Sequence, residues 1–330
     1  MNVDSAEYFR GIKFGELKHH GSMAVLPVFT GQESELRYLT LSEALKADLV
    51  EISEINEMGT VSELKVSNTA DLPVLILDGE ELVGAKQNRI VNTTILLKER
   101  SLTVIPVSCV EQGRWSYKSR NFKDSSRLAH SKLRNLKSVS VKKSVEDYGE
   151  HFSDQSAVWD AIHEIEMKTH LHSPTSAMGD IYDEFTENMK DYQEAFEAVE
   201  GQSGLLVFIN GEVMGLDIIS NKTAYSVLHK KLIESYALDS MLENTKKTTP
   251  NINPDAAHKF IEGIIKCDES RNESVGYGFD HRFASDLYIG SALIFNKELI
   301  HASFFKSLEI EADEVGGMAR SSVRANLRES

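Results

Sequence analysis

The first 115 residues contain five short apolar segments, and these constrain the fold more than any other feature of the sequence. They are rich in Val and Ile and are separated by turn-forming or polar residues, which is typical of β-strands. Because no long helical pattern lies between the later segments, antiparallel sandwich-like pairing is favoured over crossover connections. The segments span residues 23–29, 60–68, 72–82, 89–97 and 102–110.

The apolar spacing changes after about residue 126. Apolar residues recur every three or four positions around Val158–Ile165 and again from Ile181 to Val199, which predicts two amphipathic helices. A hairpin is predicted within 205–219, around Asn210-Gly211, because both residues tolerate a positive φ. Further predictions are helices at 41–48, 225–242 and 256–265, strands at 286–295 and 299–305, and a loose tail after about residue 312.

These patterns predict an α+β protein whose parts pack as one unit. Residues 1–120 form an antiparallel β-sandwich-like part that carries the main polar motifs. Residues 121–200 form a basic connector and amphipathic helices, and residues 201–330 form a mixed α/β part.

Composition excludes several classes of protein. The chain has 330 residues, a net charge of −15 and only two cysteines, Cys109 and Cys267, which excludes a disulfide framework and a cysteine-only zinc site. No apolar run approaches the roughly 18 residues of a membrane span, and the N-terminus lacks an apolar signal core, so we expect no membrane association and a cytoplasmic location. Because none of the common metal motifs is present, we assign no metal site, and the cofactor and the oligomeric state stay open.

Residues 112–143 form a basic stretch within this acidic chain. They carry +9, which leaves −24 on the other 298 residues. Trp115, Tyr117 and Phe122 lie among the basic side chains, a mixture that stacks bases and neutralises phosphates. The alternative interpretation is a solvated connector whose basic side chains pair with acids elsewhere.

Two dense polar motifs lie in the β-rich part. The first runs from Asp78 to Arg89, with Asn92 just beyond, and combines carboxylate, amide, ammonium and guanidinium groups. Such a mixture can hydrogen-bond a sugar or base and hold a phosphate, and Arg89 is suited to bidentate contact. The alternative is a hairpin held by its own charges. Gly84 and Ala85 are small enough to let the backbone approach a ligand closely.

The second motif, residues 108–115, follows the fifth predicted strand. Its Cys109 is expected to be an inert buried thiol. If segments 89–97 and 102–110 pair, Glu111 and Arg114 come near the first motif. A pair such as Glu80 and Glu111 would then be candidates for a catalytic acid and base.

At these motifs the sequence resembles a family of uncharacterised prokaryotic proteins, the ARG and rhodanese-phosphatase-superfamily-associated domain family. The resemblance is carried by LDGEELVGAKQNRIVNT (77–93) and IPVSCVEQGRW (105–115), together with MAVLPVF (23–29) and weaker matches up to residue 239. The family is associated with ADP-ribosylglycohydrolase and rhodanese-type phosphatase genes, which implies ADP-ribose or NAD-derived chemistry. The resemblance favours a functional site at Glu80, Lys86, Gln87, Asn88, Arg89, Glu111, Arg114 and Trp115.

Three functional hypotheses follow. The first is binding of an ADP-ribose-like or other nucleotide ligand in NAD-derived metabolism. In that site the ligand's phosphate is held by Lys86, Arg89 and Arg114. Its polar edges form hydrogen bonds with the amide side chains of Gln87, Asn88 and Asn92. A base of the ligand stacks on the indole ring of Trp115. The second is a hydrolase acting on such a ligand with Glu80 or Glu111 as base. The third is RNA or protein-partner binding through residues 112–143.

Overall fold

The computed structural model describes residues 5–31, 34–243, 252–253 and 255–307, and it confirms the α+β class. Its helices are α1 Ser5–Arg10, α2 Leu41–Lys46, α3 Ser131–Tyr148, α4 Gln155–Thr169, α5 Met178–Glu184, α6 Thr186–Ala195, α7 Lys222–Leu242 and α8 Ala256–Ile265. The first twelve strands are β1 Lys13–Phe14, β2 Lys18–His20, β3 Met23–Phe29, β4 Leu39–Thr40, β5 Val50–Ser53, β6 Glu63–Asn68, β7 Val74–Ile76, β8 Glu80–Gly84, β9 Arg89–Val91, β10 Ile95–Leu97, β11 Ser101–Cys109 and β12 Phe122–Leu128. The others are β13 Gly204–Ile209, β14 Glu212–Ile219, β15 Asp268–Glu273, β16 Phe279–Ala284, β17 Tyr288–Phe295 and β18 Glu298–Lys306.

A nine-stranded antiparallel sheet joins the two ends of the described chain. Its order is β1-β3-β13-β14-β18-β17-β16-β15, with β2 also paired to β3. The hairpin predicted around Asn210-Gly211 is confirmed, since both residues have a positive φ and connect β13 to β14. The predicted helices at 225–242 and 256–265 and the last two predicted strands are present as well.

A six-stranded sheet of order β12-β8-β9-β11-β6-β5 carries both polar motifs, and we call it the curled sheet. Its two edges approach each other, since Ser53, the last residue of edge strand β5, forms a bridge with Asn121 just before edge strand β12. The curled sheet therefore wraps around an apolar core that includes Leu82, Val91 and Val107. A small sheet, β10-β7-β4, and helix α2 pack against the same core.

Two predicted strands are wrong as single elements. Segment 72–82 divides into β7 and β8 at a turn, where the Glu80 N–H donates to the Leu77 carbonyl (3.2 Å) and Gly79 has a φ of 87°. Segment 89–97 divides into β9 and β10 at residues 92–94. In both places buried polar side chains hydrogen-bond outside the ladder, as when Thr94 accepts from the Asp78 N–H (3.1 Å).

The helix pattern from Ile181 to Val199 is also interrupted. Helix α5 ends at Glu184 and α6 begins at Thr186, with Phe185 between them. The Thr186 hydroxyl donates to the Tyr182 carbonyl (3.2 Å), a side-chain bond of the kind that competes with regular helical bonding. The apolar stripe therefore belongs to two consecutive short helices.

The prediction of a basic connector after residue 121 is wrong for residues 122–148. They form strand β12 and the 18-residue helix α3, which packs between α4, α7 and the large sheet. Basic residues can line the buried face of α3 because Arg134 and Lys137 meet the carboxylates of Asp217 and Asp78. No helix in the described ranges is both long and apolar enough to cross a membrane. The tail after residue 312 lies outside the described residues.

Candidate functional site

The two polar motifs meet at one end of the curled sheet. Strands β9 and β11 pair with Arg89 opposite Cys109, so the pairing of segments 89–97 and 102–110, which the sequence left open, is present over residues 89–91. Directly after β11, Glu111 accepts a hydrogen bond from the Asn88 N–H (3.1 Å). The chain reversal between β8 and β9 thus lies against residues 111–116.

Arg114 joins the two motifs, because its guanidinium donates hydrogen bonds to groups of both. Its Nε and Nη2 donate to the Glu111 carboxylate (2.8 and 2.6 Å), and Nη2 also reaches the Asn88 side-chain oxygen (3.1 Å). Its Nη1 donates to the carbonyls of Ala85 (2.7 Å) and Ser116 (2.9 Å). The geometry therefore favours a structural role for Arg114 over the predicted phosphate binding. Its guanidinium has no N–H left free to donate to a ligand.

Gly84 lies against the backbone of the protein itself and not against an open surface. Gly84 has a φ of 126°, and a Cβ there would lie 2.4 Å from the Ser119 hydroxyl and 2.9 Å from the Asn121 carbonyl. Gly84 therefore packs closely against residues 119–121 of the same chain. The close approach serves packing of the curled sheet against its own loop.

The predicted acid and base carboxylates are both engaged in ion pairs. Glu80 accepts from the Lys231 ammonium (2.6 Å) and from the Leu77 N–H (2.8 Å), and burial raises its pKa against the opposing effect of Lys231. Burial also acts to raise the pKa of Glu111, but the hydrogen bonds and charge of Arg114 hold it below its usual value. Both carboxylates are held in place by neighbouring cations.

Arg89 is a buried cation of this region that lacks a carboxylate partner among the described residues. Its side chain is fully buried and faces the interior of the curled sheet, on the same side as Cys109 and Leu82. It donates to the Gln87 side chain (3.0 Å) and to the Thr60 carbonyl (3.4 Å), whereas its Nε has no partner. In the described part of the chain no carboxylate lies within 4 Å of the guanidinium, and burial lowers its pKa.

A second cation and two aromatic rings complete this end of the sheet. The Lys86 ammonium lies 5.4 Å from the Trp115 ring centre and 5.1 Å from that of Tyr117, and it donates to the Met58 carbonyl (2.6 Å). The Arg89 guanidinium lies 5.6 Å from the Trp115 ring. Both rings are about half exposed, so they separate the two cations from solvent.

Glu54 and Gly59 belong to the same site and carried no signal in the sequence. Residues 54–62 connect β5 to β6 and cover the two cations. A Cβ on Gly59 would lie 3.1 Å from Lys86 Cδ, 3.3 Å from Glu54 Oε2 and 3.4 Å from Trp115 Cζ2. We call the group Glu54, Lys86, Arg89, Trp115 and Tyr117 the Arg89 cluster.

The amide side chains of the first motif have different surroundings. Gln87 bridges Arg89 and the Gln112 carbonyl (3.4 Å), whereas Asn88 contacts Arg114. Asn92 lies outside the Arg89 cluster: its amide donates to the His151 carbonyl (3.1 Å) and accepts from Ser108 (2.8 Å). Among the three amide side chains, Asn92 is therefore the one whose predicted contact with a ligand has the least support from the geometry.

Glu81 was not singled out by the sequence and differs from its neighbour Glu80. It is fully buried on the opposite face of β8, where its carboxylate lies near Ser125 and Arg127 but forms no hydrogen bond of ordinary length. Burial raises its pKa to about 7, in spite of the nearby Arg127 guanidinium. A carboxyl with this pKa is neutral in a large fraction of molecules at neutral pH.

The basic stretch is largely neutralised by acids of the same chain. The ion pairs are Arg114–Glu111, Arg127–Asp183, Lys132–Glu243, Arg134–Asp217, Lys137–Asp78 and Lys142–Glu146. Those of Arg134 and Lys137 are fully buried and are inaccessible to any polyanion. This arrangement matches one part of the alternative interpretation, the pairing of the basic side chains with acids, although residues 122–148 are not a solvated connector.

Two other features lie away from the Arg89 cluster. A surface cleft of about 720 Å³ is lined by acidic residues including Glu7, Glu35 and Glu298, and it contains none of the predicted site residues. Within the described ranges no group of three or more His, Cys, Asp or Glu side chains is placed to hold a metal ion.

The fold and this site define an α+β protein with a buried cation cluster at one end of a curled sheet. The chain belongs to the ARG and Rhodanese-Phosphatase-superfamily-associated Protein domain family, whose model matches residues 11–305. This confirms the family resemblance seen in the motifs. Searches of curated proteins and of solved structures gave no match.

Proposed function

We propose that the protein binds a phosphate-bearing ligand of the nucleotide or ADP-ribose class at the Arg89 cluster. The observation that carries the proposal is the Arg89 guanidinium, which is fully buried, lacks a carboxylate partner and keeps an unused Nε donor. Burying an unpaired charge costs several kcal/mol, so such groups normally meet an opposite charge. A bound anion supplies that charge.

The surroundings of Arg89 fit a phosphate and a neighbouring ring. Lys86 brings a second cation against the same Trp115 ring, and two cations match the charge of a phosphate or diphosphate. The exposed sides of Trp115 and Tyr117 offer surfaces on which a base can stack. The end of a closed or nearly closed sheet is also a common place for ligand binding.

The family context narrows the ligand class. The family description records an association with ARG and rhodanese-phosphatase proteins. This association supports ADP-ribose or an NAD-derived compound as the first ligand to test. It supplies no mechanism, and the engaged carboxylates of Glu80 and Glu111 favour binding over hydrolysis.

The proposal is tested by thermal unfolding with ADP-ribose, NAD, mononucleotides and cyclic nucleotides. A ligand at about 100 times its dissociation constant adds roughly 2.7 kcal/mol to the stability, which raises the melting temperature by several degrees. We expect this shift in the wild type and its loss in Arg89→Met. Arg100→Ala, which removes an exposed arginine paired with Asp71, is the control and should keep the shift.

Two results would contradict the proposal. One is the absence of any shift with every compound, and the other is a full shift in Arg89→Met. Binding of RNA in place of small ligands, with affinity that falls steeply with salt, would instead support the third hypothesis.

A further inference from the structure

The surface cleft of about 720 Å³ lies where helix α1, the segment after β3 and the turn between β17 and β18 meet. Its volume is within the range of roughly 300–1,000 Å³ that small-molecule sites occupy. Two of its lining residues, Ser220 and Leu299, are buried, whereas Glu7, Glu35 and Lys297 are exposed. The cleft therefore has a buried floor and a charged rim.

Three carboxylates and one ammonium line the cleft. The side chains of Glu7 and Glu35 take part in no hydrogen bond or ion pair among the described residues. Glu298 accepts a hydrogen bond from the Ser34 hydroxyl (2.5 Å). Burial raises the pKa of the Tyr8 hydroxyl, and the negative charges of Glu298 and Glu7 raise it further. Because these acids gather around one cleft with little counter-charge, the cleft attracts cations.

A hydroxyl without a partner lies at the floor of the cleft. Ser220 is 8% exposed, and its Oγ forms no hydrogen bond within the described part of the chain. The Thr30 hydroxyl, which also lines the cleft, bonds to Ser203 (3.1 Å). Buried hydroxyls normally have such a partner. A ligand N–H that reaches the floor would supply one to Ser220, since a hydroxyl oxygen can accept.

The spacing of the carboxylates favours an organic cation over a metal ion. Glu7 belongs to α1, Glu35 follows β3 and Glu298 begins β18. In the described ranges no three acidic, His or Cys side chains lie close enough together to hold one metal ion. A ligand with several ammonium groups separated by methylene groups can meet dispersed carboxylates, and its hydrocarbon part can pack on Leu299.

We propose that this cleft binds a linear aliphatic polyamine, whose ammonium groups pair with Glu298, Glu7 and Glu35. One ammonium N–H donates to the Ser220 hydroxyl, and the methylene chain lies over Leu299. The site shares no residue with the Arg89 cluster. The inference therefore goes beyond the proposed function, and either one can fail while the other stands.

The test is isothermal titration of the full chain with spermidine and putrescine, and with uncharged butanediol and Mg²⁺ for comparison. Glu298→Gln removes a charge but keeps an oxygen for the Ser34 hydroxyl, and Ser220→Ala removes the unused acceptor. Lys297→Met removes the ammonium of the rim, while the backbone carbonyl that accepts from Tyr8 stays. Glu51→Gln, an exposed carboxylate on β5, is the matched control.

We expect both amines to bind the wild type and the control equally. Glu298→Gln should weaken them about tenfold to a hundredfold, and Ser220→Ala about twofold to tenfold. Lys297→Met should strengthen them about twofold to fivefold, because a repelling charge is gone. A misfolded variant would not produce this gain of affinity.

Several results would overturn the inference. They are no heat with either amine, equal affinity in Glu298→Gln and the wild type, and butanediol binding as well as putrescine. Displacement of spermidine by equimolar Mg²⁺ would show a non-specific counter-ion effect. Binding of an oligolysine peptide but of neither amine would assign the cleft to a protein partner.

Discussion

Buried arginines in this protein have two different environments. Arg134 is fully buried in helix α3 and forms a bidentate pair with Asp217, whose carboxylate also accepts from the Tyr236 hydroxyl (2.7 Å). Arg89 is equally buried, but among the described residues no carboxylate lies within 4 Å of its guanidinium. Since the cost of removing a guanidinium from water is offset only for Arg134, the two residues should respond in opposite ways to the same substitution.

We predict that Arg89→Met raises the free energy of unfolding of the ligand-free protein by about 1 kcal/mol or more, because it removes an unpaired buried charge. Arg134→Met should lower it by about 3–5 kcal/mol, because it leaves Asp217 buried and unpaired. Urea denaturation of both variants measures the difference. A loss for Arg89→Met as large as that for Arg134→Met would mean that Arg89 has a structural role and no ligand.

The raised pKa of Glu81 predicts how the free energy of unfolding depends on pH. Its pKa is about 7 in the folded protein and near the usual 4.5 when unfolded, so its stabilising contribution is complete below pH 4.5. That contribution is lost as the pH rises through 7, and the total is about 3 kcal/mol. Denaturation between pH 4.5 and 8.5 should show a shallower decline for Glu81→Gln than for the wild type. The exposed Glu187→Gln is the control, and parallel curves for Glu81→Gln and the wild type would refute the prediction.

At the scale of elements, the loop between β5 and β6 is part of the candidate site, although its sequence did not indicate this. It is held over the curled sheet by the Lys86 ammonium at Met58 and by the Tyr117 hydroxyl at the Glu57 carbonyl (3.4 Å). Gly59 has a φ of 74°, in the left-handed region that favours glycine. The loop therefore forms a wall of the candidate site.

Replacing Gly59 by alanine should weaken ligand binding as well as stability. The left-handed φ costs about 1 kcal/mol, and the new methyl group would crowd Lys86, Glu54 and Trp115. Gly149→Ala is a matched control, since Gly149 has a φ of 73° and no atom within 4 Å of its Cβ position. Gly59→Ala should lose at least as much stability in urea as Gly149→Ala, but only Gly59→Ala should lose affinity for ADP-ribose in a titration. Equal affinity in the two variants would exclude a role for the loop in the site.

Elements that depend on local sequence could be predicted, whereas features that depend on distant partners could not. Strands such as β3 and β11 and helices such as α8 follow from local apolar spacing, which is visible in one stretch of chain. The turn at Asp78-Gly79 and the contact of Glu54 with Lys86 depend on partners that are distant in sequence. The meeting of the two motifs depended on a strand pairing that the sequence left open. The lack of a carboxylate partner for Arg89 depends on residues distant in sequence, which a single stretch of chain does not reveal.

At the scale of the whole molecule, the large sheet makes the first and last parts of the chain interdependent. Strand β3 pairs with β13 over residues 23–28, and its side chains enter two different apolar cores. Residues such as Met23 and Ala24 are fully buried only because β13 and the strands beyond it are present. The N-terminal part therefore lacks a complete core of its own.

We predict that a fragment of residues 1–200 aggregates when expressed alone, because the paired edge and both faces of β3 would be exposed. Co-expression with residues 201–330 should restore a soluble complex. Size-exclusion chromatography and thermal unfolding provide the measurement. A monomeric 1–200 fragment with a cooperative melting transition would contradict the prediction.

The pairing of β3 with β13 also has a consequence during synthesis. The Ser203 hydroxyl donates to the Val28 carbonyl, across 175 residues of chain. At ribosomal rates of about 5–20 residues per second, β3 leaves the ribosome on the order of ten to forty seconds before its partner strand does. During that interval a seven-residue apolar strand has no native neighbour on one side, so the nascent chain should be a substrate for chaperones until β13 arrives.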